Sequence, residues 1–241
     1  MLATPNPTDT TAIFISGNEF AQELFGNAGS NILDGGGGAD QMYGRGGDDV
    51  YYVDQAGDLV FEDANQGRDV VYTSASWSLG AGQQVEVIAT VDAAATAAIN
   101  LTGNELGQEL FGNAGANVLD GRGGADVLYG RGGADTFRFS TALGAGNVDT
   151  IADFSSAQGD RIQLVAGVFT GIGASATNGV LNAGAFALST ATAEADDRII
   201  YNPATGALFF DADGSGAQAP VQFATLTGTP ADLTAANFVV G

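Results

Sequence analysis

A nine-residue period is written twice in this chain, and it constrains the fold more than any other feature. From Gly26 the sequence reads GNAGSNILD, GGGGADQMY, GRGGDDVYY; from Gly112 it reads GNAGANVLD, GRGGADVLY, GRGGADTFR. A looser copy precedes each run, GNEFAQELF from Gly17 and GNELGQELF from Gly103. Four consecutive units, repeated after 86 residues, are not a chance match. A flexible Gly-rich linker would have no reason to keep an apolar residue at every eighth position. This chain keeps Leu24, Leu33, Met42 and Tyr51, then Leu110, Leu119, Leu128 and Phe137.

The positions within a unit predict its geometry. Gly recurs at the first and fourth positions, and often at the second or third, where the backbone needs φ > 0 and exposed carbonyls. An oxygen-bearing side chain ends each turn at the sixth position: Gln22, Asn31, Asp40 and Asp49, then Gln108, Asn117, Asp126 and Asp135. Six residues make a turn and three make a short strand whose middle side chain points inward. Two units close one coil, so turns eighteen residues apart stack and enclose a site of carbonyls and carboxylates. Hard oxygen donors without His or Cys favour calcium over a transition metal.

These residues carry a family resemblance. The pattern resembles the glycine-rich nonapeptide GGxGxDxUx of the RTX (repeats-in-toxin) proteins, which fold as a calcium-bound parallel β-roll. The resemblance implies that carbonyls at the second and fourth positions of one turn join those at the first and third of the next turn on the same side. It also implies a sixth-position side chain from each. It pairs Asn27, Gly29 and Asn31 with Gly44, Gly46 and Asp49, and Asn113, Gly115 and Asn117 with Gly130, Gly132 and Asp135. Around Asp40 the implied ligands are Gly35, Gly36, Gly37 and Gly38; around Asp126 they are Arg122 and Gly124. A degenerate unit, VDQAGDLVF from Val53, offers Asp58 to complete the Asp40 site. Gln22 and Gln108 replace the acid in each opening turn, so the first site of each block is expected to be weak or empty.

Composition agrees with a chain that folds when cations arrive. The formal charge is −21, from 28 acids against seven Arg and no Lys. That surplus excludes nucleic acid as a partner, because phosphates would find nothing to neutralise them. It also holds the chain open by self-repulsion. Yet 45% of residues are hydrophobic, which separates the chain from permanently disordered acidic tails. With no Cys, stability has to come from metal and packing. No stretch reaches the length of a transmembrane helix, and the N-terminus lacks a secretory signal pattern. Sites of millimolar-range affinity fill outside the cell, so the protein is expected to be secreted or at the cell surface, by a route without an N-terminal signal. The resemblance points to a Gram-negative bacterium.

The remaining sequence is consistent with that route. Residues 62–102 alternate β-rich runs with turns, including DVVYTSAS and VEVIATV, and read as further coils bridging the blocks. NVDTIADFSSAQGDRIQL, from Asn147, resembles the closing strand of the C-terminal domain of serralysin-type secreted proteins. RIIYNPATGALFFDADGSG reads as a hairpin around Asn202–Gly206. The ending TLTGTPADLTAANFVVG looks like a type I secretion signal, which makes the type I machinery an expected partner. Asp149 and Asp153, with Asp160, either bind calcium at the seam or cap turns. Asp211-Ala-Asp213-Gly-Ser215 has an EF-hand-like start but Gln222 at the twelfth position, and it reads better as a turn.

The expected fold is therefore all-β: a calcium-bound parallel β-roll, with two RTX blocks in one elongated stack, followed by a C-terminal β-rich domain. Its expected parts are residues 1–96, the first block with bridging coils; 97–145, the second block; and 146–241, the C-terminal domain with the secretion signal. Catalysis finds no support. Without His or Lys there is no zinc helix, Ser–His pair or Schiff base, and the acids already have repeat positions. One role is a secreted structural protein binding several Ca2+ ions and self-assembling head to tail into a filament, surface layer or biofilm matrix. Another is the folding and secretion cassette of a type I secreted hydrolase, and a third is an adhesin or ligand-binding module. The opening Met directly before repeat sequence and the signal-like ending favour a complete protein. The segment before Gly17 is expected to be about one strand long, too little to cap a roll end.

Overall fold

The computed structural model describes residues 1–4, 6–173, 179–189 and 194–241. Short strands alternate between the two faces of a flattened coil. One face begins with β1 (Leu2–Ala3), β3 (Glu23–Phe25), β5 (Gln41–Tyr43) and β7 (Leu59–Phe61), paired in that order. It resumes with β9 (Trp77–Ser78), β11 (Leu101–Thr102), β13 (Val118–Asp120), β15 (Thr136–Phe139), β17 (Arg161–Leu164) and β22 (Phe238–Val240). The opposite face runs without a break from β2 (Phe14–Ser16) through β4 (Ile32–Asp34), β6 (Val50–Val53) and β8 (Val70–Thr73). It continues through β10 (Val87–Thr90), β12 (Glu109–Phe111), β14 (Val127–Tyr129) and β16 (Asp149–Ile151). Beyond β16 the same sheet adds β21 (Val221–Leu226), β20 (Ala207–Phe210), β19 (Ile199–Tyr201) and β18 (Phe186–Leu188). Twelve strands at the usual spacing make a sheet about 50 Å long. The fold is an all-β parallel β-roll.

The repeat sets the register. Within each block every strand pairs in parallel with the strand eighteen residues on, as in Leu24↔Met42, Leu33↔Tyr51, Leu110↔Leu128 and Leu119↔Phe137. All eight of the eighth-position side chains are fully buried. They form the single file of apolar contacts that two three-residue strands per coil can enclose. Outside this file, ninth-position aromatics stack in columns: Phe25 on Tyr43 at 4.6 Å, Tyr43 on Phe61 at 4.5 Å, and Phe111 on Tyr129 at 4.5 Å.

Glycine is favoured at the first position and at the second and fourth for different reasons. A Cβ on the first-position Gly121 or Gly130 would lie 2.1 or 2.3 Å from the Oδ2 of Asp126 or Asp135, so close approach excludes any side chain. The positive φ falls instead at the second and fourth positions, as in Gly36 (70°) and Gly38 (101°). At the second position Arg45, Arg122 and Arg131 adopt it too, with φ of 80°, 65° and 70°. Arg45 and Arg131 gain a return for that strained backbone. Their guanidinium groups donate to the carbonyls of Gly26 and Gly112 and lie over the rings of Phe25 and Phe111.

Residues 62–102 fold as coils, with register offsets that differ from eighteen. Val50 pairs with Val70 and Val70 with Val87, because the turns here have other lengths. Between β7 and β9 the first face is interrupted, and the Trp77 indole bridges the gap by donating to the Asp58 carbonyl at 2.8 Å.

Two ends depart from the plain repeat. The expectation of about one strand before Gly17 is corrected: the segment supplies both β1 and β2, one for each face. A turn over Asn6–Asp9, with side-chain oxygens of Asn6 and Asp9 holding Thr8 and Thr11, swings the chain across. At the far end, β19, β20 and β21 are antiparallel, with a hairpin closed by the Asn202 N–H donating to Ala207. Here the file of single side chains widens into an edge-to-face cluster of Phe139, Phe169, Phe210 and Phe223.

Because the core is one side chain wide, a vacancy in it has few neighbours to fill it. Leu119→Ala should cost about 2–5 kcal/mol, whereas truncating the half-exposed Val91 should stay within about 0.5 kcal/mol. Denaturant unfolding in saturating calcium checks both values.

Candidate calcium sites

The eight repeat turns stack in columns stitched by one recurring bond. The backbone N–H of each sixth-position residue donates to the Oδ1 of the sixth-position acid in the next turn above. Gln22 donates to Asp40 at 2.7 Å, and Asp40 to Asp58 at 3.0 Å. Asn31 donates to Asp49 at 2.6 Å, and Asp49 to Asp69 at 2.8 Å. In the second block Gln108 donates to Asp126 at 2.7 Å and Asn117 to Asp135 at 2.8 Å. The columns end on Asp149 and Asp160, which accept from Asp126 at 3.1 Å and Asp135 at 2.9 Å.

Side-chain chemistry divides the turns into two kinds. In the amide turns the polar groups satisfy one another. Asn31 Oδ1 accepts from the Asn27 N–H, Asn31 Nδ2 donates to Asn27 Oδ1, and that oxygen also accepts from Gly29. Asn113, Gly115 and Asn117 repeat this network, and Asn104 with Gln108 makes the same closure. In the carboxylate turns the second oxygen has nothing. Oδ2 of Asp40, Asp49, Asp126 and Asp135 is buried without a hydrogen-bond partner. A buried carboxylate oxygen in that state is costly unless a cation or proton meets it.

The charged turns are where a cation fits. Each orphaned oxygen faces the Cα of its own first-position glycine, Gly35, Gly44, Gly121 or Gly130, in a cradle that a Cβ would fill. The donors are all hard oxygens, which suits a calcium ion and its flexible coordination.

Burial pushes the Asp49 and Asp135 carboxyls up to about 7, opposed by hydrogen bonds from the backbone of Asn31 and Asn117. Neighbouring acids, Asp69 for the first and Asp160 for the second, raise them further. Asp40, Asp126 and Asp149 are raised for the same first reason, desolvation.

The other residues assigned from the sequence are placed as follows. Asn27, Asn31, Asn113 and Asn117 lie in their expected turns, but their side-chain groups are engaged within those turns. The Asn27 and Asn113 carbonyls each accept an N–H from the turn above, from Gly46 and Gly132 at 3.3 Å. The Arg122 carbonyl accepts from the Thr141 hydroxyl. Asp58 has both oxygens occupied, by Asp40 and by Asp54 with Gln55. Asp153 caps the turn at Gly130 and Arg131, and the second oxygen of Asp160 accepts from Ser155. Asp211 accepts from Asp213 and Gly214, making the tight turn after β20. Glu62 and Asp69, buried beside Asp49, were not picked out from the sequence. The signal was present: a Glu stands where the four regular turns of the block begin with glycine, and Asp69 ends a turn lengthened to eight residues.

A family model for the RTX calcium-binding nonapeptide repeat (4 copies) matches residues 16–51 and 102–137, the two blocks described above. The chain thus carries calcium-binding RTX repeats. No curated protein matches it. Among solved structures it is similar to the solution structure of the AlgE6R3 subunit from the Azotobacter vinelandii mannuronan C5-epimerase. That likeness has 23% identity and a TM-score of 0.27, covering 93% of this chain and 81% of that one.

Two outcomes follow from the division of turns. Asp49→Ala and Asp135→Ala should each raise the calcium midpoint of folding several-fold, while Gln22→Ala should leave it nearly unchanged. A calcium titration of the three variants by circular dichroism checks this. The second outcome concerns pH without metal. Carboxyls held near 7 in the fold and near 3.9 when unfolded bind more protons in the native state between those values. Their contribution is present in full below about pH 4 and lost as pH rises through 7. In excess chelator the β structure lost at neutral pH should therefore return in part as pH falls from 8 to 5, and saturating calcium should flatten that dependence. Circular dichroism across the range measures it.

Proposed function

We propose that the chain is a secreted, non-enzymatic structural protein that folds on calcium outside the cell and assembles head to tail. The ion count is several, one at each carboxylate turn that has an orphaned oxygen. Export through type I machinery by the C-terminal sequence, and a serralysin-like character of residues 146–241, belong to this reading. So does use as a filament, surface layer or biofilm matrix.

The observation that carries the assembly is the state of the longest sheet at its two ends. Among the described residues β2 pairs only with β4, and β18 only with β19. Ile32 donates to the Ile13 carbonyl and Gly17 to the Asp34 carbonyl, so the odd residues of this segment face β4. The N–H and C=O of Phe14 and Ser16 then face outward, an open template for another strand. Phe14 on that edge strand is 63% exposed, and Phe20 in the turn that follows it 67%. A cavity of about 420 Å³, lined by Leu2, Ala3 and residues 13–16, opens beside it. Joining β2 of one subunit to β18 of the next is a heterologous contact, which extends into a filament unless it closes into a ring. The charge of −21 opposes it until calcium binds.

A second reading has its own support. The C-terminal strands β16 to β22 continue both sheets and widen the core into the aromatic cluster at one end of the roll, while the N-terminal end stays open on β1 and β2 with no such cluster. That polarity suits a folding and secretion cassette whose open end abuts another domain.

Light scattering and electron microscopy of the full chain in millimolar calcium separate the two. The structural reading expects filaments or sheets that dissolve in chelator. It also expects Phe14→Pro, which removes an outward N–H but keeps the β4 pairing, to leave a folded, calcium-binding monomer. A wild type that stays monomeric at every calcium concentration overturns assembly and leaves the cassette.

A further inference from the structure

Between the first block and the bridging coils the sixth-position Asp49 is joined by two acids that the nonapeptide pattern does not contain. Glu62 occupies the first position of its turn, where the turns of the first block carry Gly17, Gly26, Gly35 and Gly44. Its side chain reaches into the roll toward the turn below. A Cβ on Gly44 would lie 2.1 Å from Asp49 Oδ2, 2.1 Å from the Tyr51 hydroxyl oxygen and 2.4 Å from Glu62 Oε1. The missing Cβ of Gly44 thus leaves the space that these three groups share. Asp69 closes the set from above, and one carboxylate oxygen from each of Asp49, Glu62 and Asp69 lies within 4.8 Å of the others.

All three are buried, at 0%, 3% and 1% exposure. Asp49 Oδ2 and Glu62 Oε2 have no hydrogen-bond partner. Glu62 Oε1 accepts from the Tyr51 hydroxyl, and one oxygen of Asp69 accepts from the Asp49 N–H. Neither nearby arginine supplies the missing charge. Arg45 is turned to the Gly26 carbonyl and the Phe25 ring, and Arg68 to Glu109 at 2.8 Å. Three buried carboxylates without a cationic side chain need compensation from outside the protein.

We propose that Glu62 and Asp69, which lie outside the nonapeptide, complete the calcium site of the Asp49 turn with side-chain carboxylates, with Tyr51 orienting Glu62, an inference that rests on calcium binding at the carboxylate turns. Oxygens at these separations suit the 2.3–2.6 Å bonds of calcium. The site takes a side-chain carboxylate at the position where a repeat turn offers only backbone. Its location has a structural consequence. The first face is interrupted just after β7, so an ion here would hold the lengthened turn 62–69 to the turn below at the level where that face has no next strand. The inference needs neither the assembly nor the export of the protein.

The test is the number of calcium ions bound per full-length chain, by equilibrium dialysis and metal analysis at saturating calcium. Glu62→Gln and Glu62→Gly should each bind one ion fewer than wild type, with unchanged circular dichroism. Asp135→Asn serves as the comparison for the repeat sites. Unchanged counts in both Glu62 variants, with a lowered count in Asp135→Asn, overturn this completion of the site and leave the repeat sites standing. A proton shared by Asp49 and Glu62 in place of a cation would give that same result. Should neither Glu62 variant fold, a crystal structure of the wild type grown in millimolar calcium decides. An ion among the three carboxylates supports the site, and a water or nothing there overturns it.

Discussion

The roll depends on a conflict at the sixth position of its turns. There the carboxylate must sit deep enough to accept the backbone N–H of the turn below, which stitches the column together. That depth leaves its other oxygen buried and unpartnered at Asp40, Asp49, Asp126 and Asp135. The apolar core cannot offset the cost unaided, because each coil contributes only two fully buried side chains in the repeat blocks. A calcium ion bound at that oxygen would resolve the conflict without displacing the backbone bond. The glycine at the first position follows from the same geometry, since any Cβ there would collide with the carboxylate.

The amide turns show a different solution to the same stacking problem. Asn27 with Asn31, and Asn113 with Asn117, close their hydrogen bonds locally and carry no charge into the roll. Each block therefore opens with two neutral turns and proceeds to two charged ones. The polar groups of the neutral turns are satisfied within the turn, and these turns lie on the side from which each block begins. On the proposed function, the charged turns are the part of the stack expected to respond to calcium.

Much of this was legible in the sequence because the period is rigid. An apolar residue at every eighth position determined the buried file and the eighteen-residue register, and both appear in the structure as read. Less legible was anything that left the period. Asn31 and Asp49 look alike as oxygen donors, and only the packed turn distinguishes an amide that bonds to its neighbour from a carboxylate that cannot. Arg45 and Arg131 look like simple replacements of glycine, yet each trades a strained φ for a carbonyl bond and an aromatic face. The N-terminal segment was read as one strand because two residues, Leu2 and Ala3, are too short a signal for β1. Glu62 and Asp69 escaped because a lengthened turn shifts them out of the nonapeptide frame.

The most direct test of calcium as the resolving ion is far-ultraviolet circular dichroism of the whole chain at neutral pH, followed from excess chelator into millimolar calcium. The buried, unpartnered carboxylates predict loss of β structure in chelator and its cooperative return with calcium. Magnesium should restore much less, because it requires near-ideal octahedral geometry and gives up water reluctantly. A spectrum that stays the same through the calcium titration would contradict the account, for the turns would then be holding their charge without the ion.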